Sequence, residues 1–234
     1  MASEIKSVII PGPAGKLEGL LNTGEPDANY AALVCHPHPL YGGTMHNKVV
    51  FAAMKALNGL GFPALRFNFR GAGRSEGKHD RGRGELEDVK AALDWLGEQF
   101  NLPIVFTGFS FGAVTGMRVC CPDDRVKALI SLGTPVEAED RLYSYEFLGG
   151  CLKPKLFISG TQDQYGPRPQ LEQMFRLAAE PKEFVWIEGA EHFFEGKLEK
   201  VRAAIAEWTQ SRVLQEPHHK GHQVRTKGPA PDIH

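Results

Sequence analysis

The sequence predicts an α/β fold: a mostly parallel central sheet with helices on both faces, led by an antiparallel strand pair and carrying a minimal cap or none. Three observations point there. Strand-like and helix-like segments alternate through most of the chain, the pattern of parallel strands joined by crossover helices. The opening breaks that alternation, with strand-like runs at residues 3–10 and 16–21 separated by Pro11, Gly12, Pro13 and Gly15, as in a hairpin. The stretch from Gly133 to Pro154, where such a fold can accept a whole inserted cap, holds only about twenty residues and leaves room for a short helix at most.

In chain order, residues 30–35 form a continuous apolar run that reads as a buried strand, followed by a Pro/Gly-rich loop and a helix over about 44–60. Residues 62–69 read as the next strand, running into the polar loop Arg70-Gly71-Ala72-Gly73-Arg74-Ser75-Glu76-Gly77. Over 85–100, Leu86, Val89, Leu93 and Leu96 recur at helical spacing between charged residues. A buried strand at 103–109, a small-residue helix at 111–121 and a strand at 126–132 follow. The last third repeats strand and helix twice, at 155–159 with 169–179 and at 184–187 with 196–211.

The chain has 234 residues, 42% hydrophobic and 24% charged, which suits one globular domain over residues 1–215. Residues 216–234 are rich in His, Lys, Gly and Pro, and are expected to be a disordered tail. A formal net charge of -1 provides no field for a polyanion, so nucleic acid is not an expected partner. No apolar run is long enough to span a bilayer, and the N-terminal residues lack the basic start and apolar core of a signal peptide. Cys35, Cys120, Cys121 and Cys151 show no C-x-x-C spacing and read as reduced thiols of a cytoplasmic protein.

Gly108-Phe109-Ser110-Phe111-Gly112 satisfies G-x-S-x-G where a buried strand passes into a helix. A sharp turn there needs small residues beside the serine, and it sets Ser110 at a helix N-terminus, where developing negative charge is favoured. A serine that only capped the helix would not require the flanking glycines. A serine hydroxyl is a weak nucleophile without a base, and that base needs an orienting carboxylate. Asp163 lies just past the strand at 155–159 and His192 just past the strand at 184–187, so both fall at carboxyl ends of strands, where open sheets bind ligands. Ser110, Asp163 and His192 are thus the candidate nucleophile, acid and base.

With these residues stand Cys35-His36-Pro37-His38-Pro39, Leu40-Tyr41-Gly42-Gly43-Thr44-Met45, Asn68-Phe69-Arg70-Gly71-Ala72-Gly73-Arg74-Ser75 and Gly189-Ala190-Glu191-His192-Phe193-Phe194. Together they resemble the α/β-hydrolases, specifically the compact group related to dienelactone hydrolase and small serine esterases, over roughly residues 5 to 212. Dienelactone hydrolase uses a cysteine nucleophile, so with Ser110 the resemblance is to fold and neighbourhood rather than to that reaction. It implies an oxyanion hole built from the backbone N–H of Phe111 and a second N–H from the loop at 36–41. Pro37 and Pro39 cannot donate, which leaves His38 or Leu40. Tyr41, Phe109, Phe111, Phe193 and Phe194 flank the catalytic positions; Tyr41, Phe109 and Phe193 are the candidate substrate-binding residues, and some of the aromatics must be core.

The expected activity is hydrolysis of small to medium carboxylic esters through an acyl-enzyme, with a small-molecule ester as partner, no cofactor and no metal. The same triad would serve a thioesterase or a lactone hydrolase, and the fold is also reused in non-catalytic binding proteins. His36, His38, His46 and His79 lack acidic or Cys ligands to complete a metal site and read as residues that order the loop. His218, His219 and His222 read as an incidental polar tract. Arg70, Arg74, Arg81 and Arg83 are expected to form a solvated basic loop. Gly71-Ala72-Gly73 lacks the G-K-[ST] ending of a phosphate loop. Oligomeric state is not legible.

Overall fold

The computed structural model describes residues 4–138 and 141–215; the tail at 216–234 lies outside the described residues. A hairpin of β1 (Ile5–Gly12) and β2 (Gly15–Asn22) opens the chain. It is followed by β3 (Ala31–Cys35), α1 (Lys48–Asn58), β4 (Ala64–Phe67), α2 (Gly84–Phe100), β5 (Ile104–Phe109), α3 (Phe111–Cys120) and β6 (Val126–Leu132). Then come the two-residue strands β7 (Glu137–Ala138) and β8 (Arg141–Leu142), β9 (Lys155–Gly160), α4 (Arg168–Leu177), β10 (Lys182–Ile187) and α5 (Leu198–Trp208).

Eight strands form one sheet in the order β1-β2-β4-β3-β5-β6-β9-β10. β1 with β2 and β2 with β4 are antiparallel, and every later pairing is parallel. The leading pair folds as a hairpin because Gly12 faces Gly15 across a two-residue turn, and Gly15 takes φ 118, which a side chain would resist.

Helices cover both faces, so the central strands read as unbroken apolar runs and their alternate residues enter different cores. Ile104 and Phe106 of β5 join Val89, Leu93 and Met117 from α2 and α3, while Val105 and Phe109 join Val49, Leu57, Val201 and Ile205 from α1 and α5. The same division runs through β3, with Leu33 on the first face and Val34 on the second. All parallel strands therefore present their carboxyl ends along one edge, and the loops leaving that edge meet there.

Two details depart from the sequence expectations. The first helix begins at Lys48 rather than near Thr44, because the Asn47 side chain accepts the Val49 N–H at 2.9 Å and caps it there. The connection at 133–154 holds the β7–β8 ladder as well as a three-ten turn at Glu146–Gly150. Among the described residues no helix is long and apolar enough to cross a membrane.

Candidate active site

Ser110 follows β5 and immediately precedes α3, with φ 54 and ψ -120, a left-handed conformation that costs a non-glycine residue about 1–3 kcal/mol. The turn is held by the Ser110 N–H donating to the Leu132 carbonyl at 2.9 Å and by the Ala113 N–H returning to the Ser110 carbonyl at 2.9 Å. Both glycines of the motif have a steric reason. A Cβ on Gly108 would stand 2.5 Å from the Ala113 backbone, and one on Gly112 would strike the His36 and Cys35 carbonyls.

Asp163 lies three residues past the end of β9 and is 4% exposed. Its Oδ1 accepts the N–H groups of Tyr165 at 2.9 Å and Gly166 at 3.3 Å, which fixes the carboxylate against rotation. His192 lies past β10 in a turn braced by Glu191, whose carboxylate accepts the N–H groups of Phe193 and Glu195. The His192 Nδ1 is 3.0 and 2.9 Å from the two oxygens of Asp163, and its Nε2 is 3.0 Å from Ser110 Oγ. A carboxylate only accepts, so Nδ1 carries the proton and Nε2 is left to accept from the serine hydroxyl.

The imidazole is held by packing as well. Phe109 lies against it with centroids 5.1 Å apart, and Tyr165 and Phe193 meet it edge-on at 4.6 and 5.2 Å. Gly133, at φ 50, leaves the space behind the ring, since a Cβ there would come within 3.2 Å of His192 Cε1.

A cavity of about 400 Å³ opens over Ser110 and His192. Tyr41 and Phe193 line it. Phe109 does not: it is fully buried and belongs to the core beneath the imidazole, because its place on β5 turns it toward α1 and α5. Tyr143, Tyr165, Pro135 and Asn47 line the cavity without having been anticipated. For Tyr165 a signal existed, since it stands two residues past Asp163 in the same loop. For Tyr143 and Pro135 there was none.

The loop at 36–45 is ordered by its histidines. His36 Nε2 accepts the Phe69 N–H at 2.9 Å, so Nδ1 donates to the Pro37 carbonyl at 2.6 Å, and the ring is neutral with both nitrogens used. Burial pushes its pKa down from 6.5 to about 4. His38 Nδ1 accepts the Leu40 N–H at 3.2 Å. That occupies the Leu40 amide, and Leu40 is 67% exposed and outside the cavity lining, whereas His38 lines it and packs on Phe111 at 4.8 Å. Phe111 is the first residue of α3, where a backbone N–H has no partner within its own helix.

The expected basic loop is divided. Arg70 is buried, its guanidinium donating to Asp88 Oδ1 from Nε at 3.0 Å and from Nη2 at 2.7 Å, with its backbone N–H on Oδ2. Arg74, Arg81 and Arg83 are exposed. Beside them, His79 Nδ1 lies 2.8 Å from Glu85 Oε1, a close contact made outside in-line hydrogen-bond geometry. The His79 ring packs on His38 at 4.7 Å. Among the described residues no three His, Cys, Asp or Glu side chains converge as a metal-binding group.

A sheet of this order with a strand-elbow-helix at its carboxyl edge defines the class of the α/β hydrolases. The alpha/beta hydrolase domain matches residues 33–215, and the chain belongs to that family. It is similar to a solved alpha-beta serine hydrolase homologue from Coxiella burnetii, at 39% identity over 86% of this chain and 96% of the other, with a TM-score of 0.79. A solved a/b serine hydrolase without lid from Xanthomonas campestris is 31% identical over 93% of this chain and 99% of its own, with a TM-score of 0.80. An uncharacterised protein of Rickettsia prowazekii is 36% identical over 207 residues, 84% of this chain and 85% of its own.

Proposed function

We propose that the protein is a serine esterase that cleaves small to medium carboxylic esters through an acyl-enzyme, with Ser110 as nucleophile, His192 as general base and acid, and Asp163 as the orienting carboxylate. The observation that carries this reading is the unbroken hydrogen-bonded chain from Asp163 through His192 to Ser110 at the floor of a cavity. His192 Nε2 takes the Ser110 proton as Oγ attacks the ester carbonyl, and Asp163 stabilises the imidazolium. The proton then passes to the leaving alcohol, and His192 next activates water to release the acid. The backbone N–H groups of Phe111 and His38 are the donors assigned to the oxyanion, each worth about 2.7–4 kcal/mol in the transition state.

Among the described residues that line the cavity there is no Asp, Glu, Lys or Arg, which favours uncharged esters. Residues 133–154 supply a two-residue ladder and a three-ten turn in place of a cap, and the Xanthomonas relative is itself described as lacking a lid. Both support an open pocket suited to short and medium acyl groups. Four cysteines without disulfides support a cytoplasmic setting.

A fluorescent fluorophosphonate probe tests the assignment, since it reacts only with a serine activated by its neighbours. Wild-type protein is expected to label and to hydrolyse p-nitrophenyl acetate, and Ser110→Ala to do neither while keeping its melting temperature. Absence of labelling in folded wild type would overturn the reading in favour of a binding protein.

A further inference from the structure

Against the two residues assigned to the oxyanion packs a third ring that none of the hydrolytic steps uses. The His79 imidazole has its centroid 4.7 Å from that of His38 and 5.7 Å from that of Phe111, and those two rings are 4.8 Å apart. The three are thus in mutual contact, each bracing the other two. His79 lies outside the cavity lining, and its side chain is 6% exposed. The segment that follows it sets its place. Glu85, in the first turn of α2, is fully buried, and its carboxylate accepts the Asp80 N–H at 2.9 Å and the Gly82 N–H at 2.8 Å. The Gly84 N–H donates to Asp80 Oδ2 at 3.2 Å. Residues 80–84 are therefore fastened onto the start of a core helix, and His79, at their head, turns its Nδ1 edge to within 2.8 Å of Glu85 Oε1. A ring carried on so short and so fastened a segment has little freedom to withdraw.

We propose that His79 is a positioning residue for the oxyanion hole: wedged against His38 and Phe111, it holds in place the peptide units that carry both donors. This rests on the esterase reading and on its assignment of those two amides. Phe111 is fixed at the head of α3, whereas His38 belongs to a loop whose regular structure is a three-residue turn at Pro39–Tyr41. That loop folds around His38, whose carbonyl accepts the Tyr41 and Gly43 N–H groups at 3.1 Å each and whose Nδ1 accepts that of Leu40. These bonds give the loop its shape. The ring contacts with Phe111 and His79 set where His38 stands relative to α3.

A hydrogen bond weakens steeply as it leaves alignment, and a misplacement of about 1 Å can cost about 10²-fold in rate. Close-packed interiors pass such displacements on rather than absorbing them. A side chain that denies His38 the room to shift therefore contributes to kcat without touching substrate. Shortening it to a methyl group would open a gap beside both donors at once, while any flat ring of similar size would keep that gap filled.

The test compares the full native chain as wild type, His79→Ala and His79→Phe, each assayed below its own melting temperature so that an unfolded fraction does not pass for lost turnover. With p-nitrophenyl acetate, His79→Ala is expected to lower kcat and kcat/KM together by roughly 10- to 100-fold at unchanged KM, the pattern of an interaction made only in the transition state. His79→Phe, which keeps a ring against His38 and Phe111, is expected to recover most of that loss. Unchanged turnover in the alanine variant, a loss confined to KM, or equal losses in both variants would each overturn the proposal. Amide hydrogen exchange at Leu40, Tyr41 and Gly43, all bonded to His38, reads the position of that residue directly by NMR. It is expected to quicken in His79→Ala and to stay near wild type in His79→Phe, and unchanged exchange in His79→Ala overturns the inference whether or not the protein cleaves esters. A folded wild type that neither labels with fluorophosphonate nor hydrolyses the ester would instead sink the esterase assignment itself, so the two failures are told apart.

Discussion

At the scale of single residues, the imidazole of His192 has one hydrogen-bond partner on each nitrogen, and its usefulness depends on which one holds the proton. An asparagine at position 163 would offer an amide N–H to Nδ1 and favour the tautomer protonated at Nε2, which cannot receive the serine proton. Asp163→Asn is expected to lower kcat by about 10⁴-fold with little change in KM, as read from p-nitrophenyl acetate turnover. His36 reports a different property. Its pKa is about 4 in the folded chain against 6.5 ordinarily, so between those values the unfolded chain holds a proton that the folded chain refuses. Its share of stability is intact above the upper value and is lost as pH falls toward the lower one, by about 3 kcal/mol in all. Urea denaturation along a descending pH series is expected to show this slope, and His36→Gln to flatten it. An unchanged slope would mean that the ring is not buried neutral. His36 was legible as a loop-ordering histidine rather than a ligand, yet its partner, the Phe69 amide, is 33 positions away in sequence and only the fold brings it near.

At the scale of elements, a buried charge pair joins the loop after β4 to α2 through Arg70 and Asp88, whose side chains are 10% and 0% exposed. Removing the carboxylate strands a guanidinium in the interior. Asp88→Ala is expected to cost roughly 3–5 kcal/mol of unfolding free energy, measurable as a fall in denaturation midpoint, while the reverse loss of an exposed pair such as Lys90–Glu87 should be near neutral. Sequence read Arg70 as one of four loop arginines because nothing local distinguishes it from Arg74; the difference is Asp88, facing it from the next helix. Strands β3, β5 and β6 were legible for the opposite reason. Covered on both faces, they carry an unbroken apolar signal. The β7–β8 ladder has two residues a side, too few for alternation to register. Phe109 was misplaced by adjacency: neighbouring the nucleophile in sequence does not make a residue its neighbour in the cavity when strand direction alternates.

At the scale of the whole molecule, the proposed site draws on the loop at 36–43, the elbow at 110–111, the loop at 163–166 and the turn at 192–193, all gathered by one edge of the sheet. That edge was readable in advance because parallel strands share a direction. The wall contributed by Pro135 and Tyr143 was not, since it comes from a connection with almost no periodic structure. An open cavity of about 400 Å³ with no charged side chain among its described lining residues should turn over p-nitrophenyl acetate and butyrate best. A chain-length series with its optimum at palmitate would contradict that geometry. The order of the parts along the chain also bears on how the protein is made. His192 stands 82 residues after Ser110, on a turn leaving the sheet's last edge strand, and α5 behind it must still pack on α1. On the proposed assignment, a chain emerging from the ribosome displays its serine long before the base that would activate it, and reactivity is expected only when β10 docks on a nearly complete sheet. On that reading, the order of synthesis leaves an unfinished chain without the base that its serine needs.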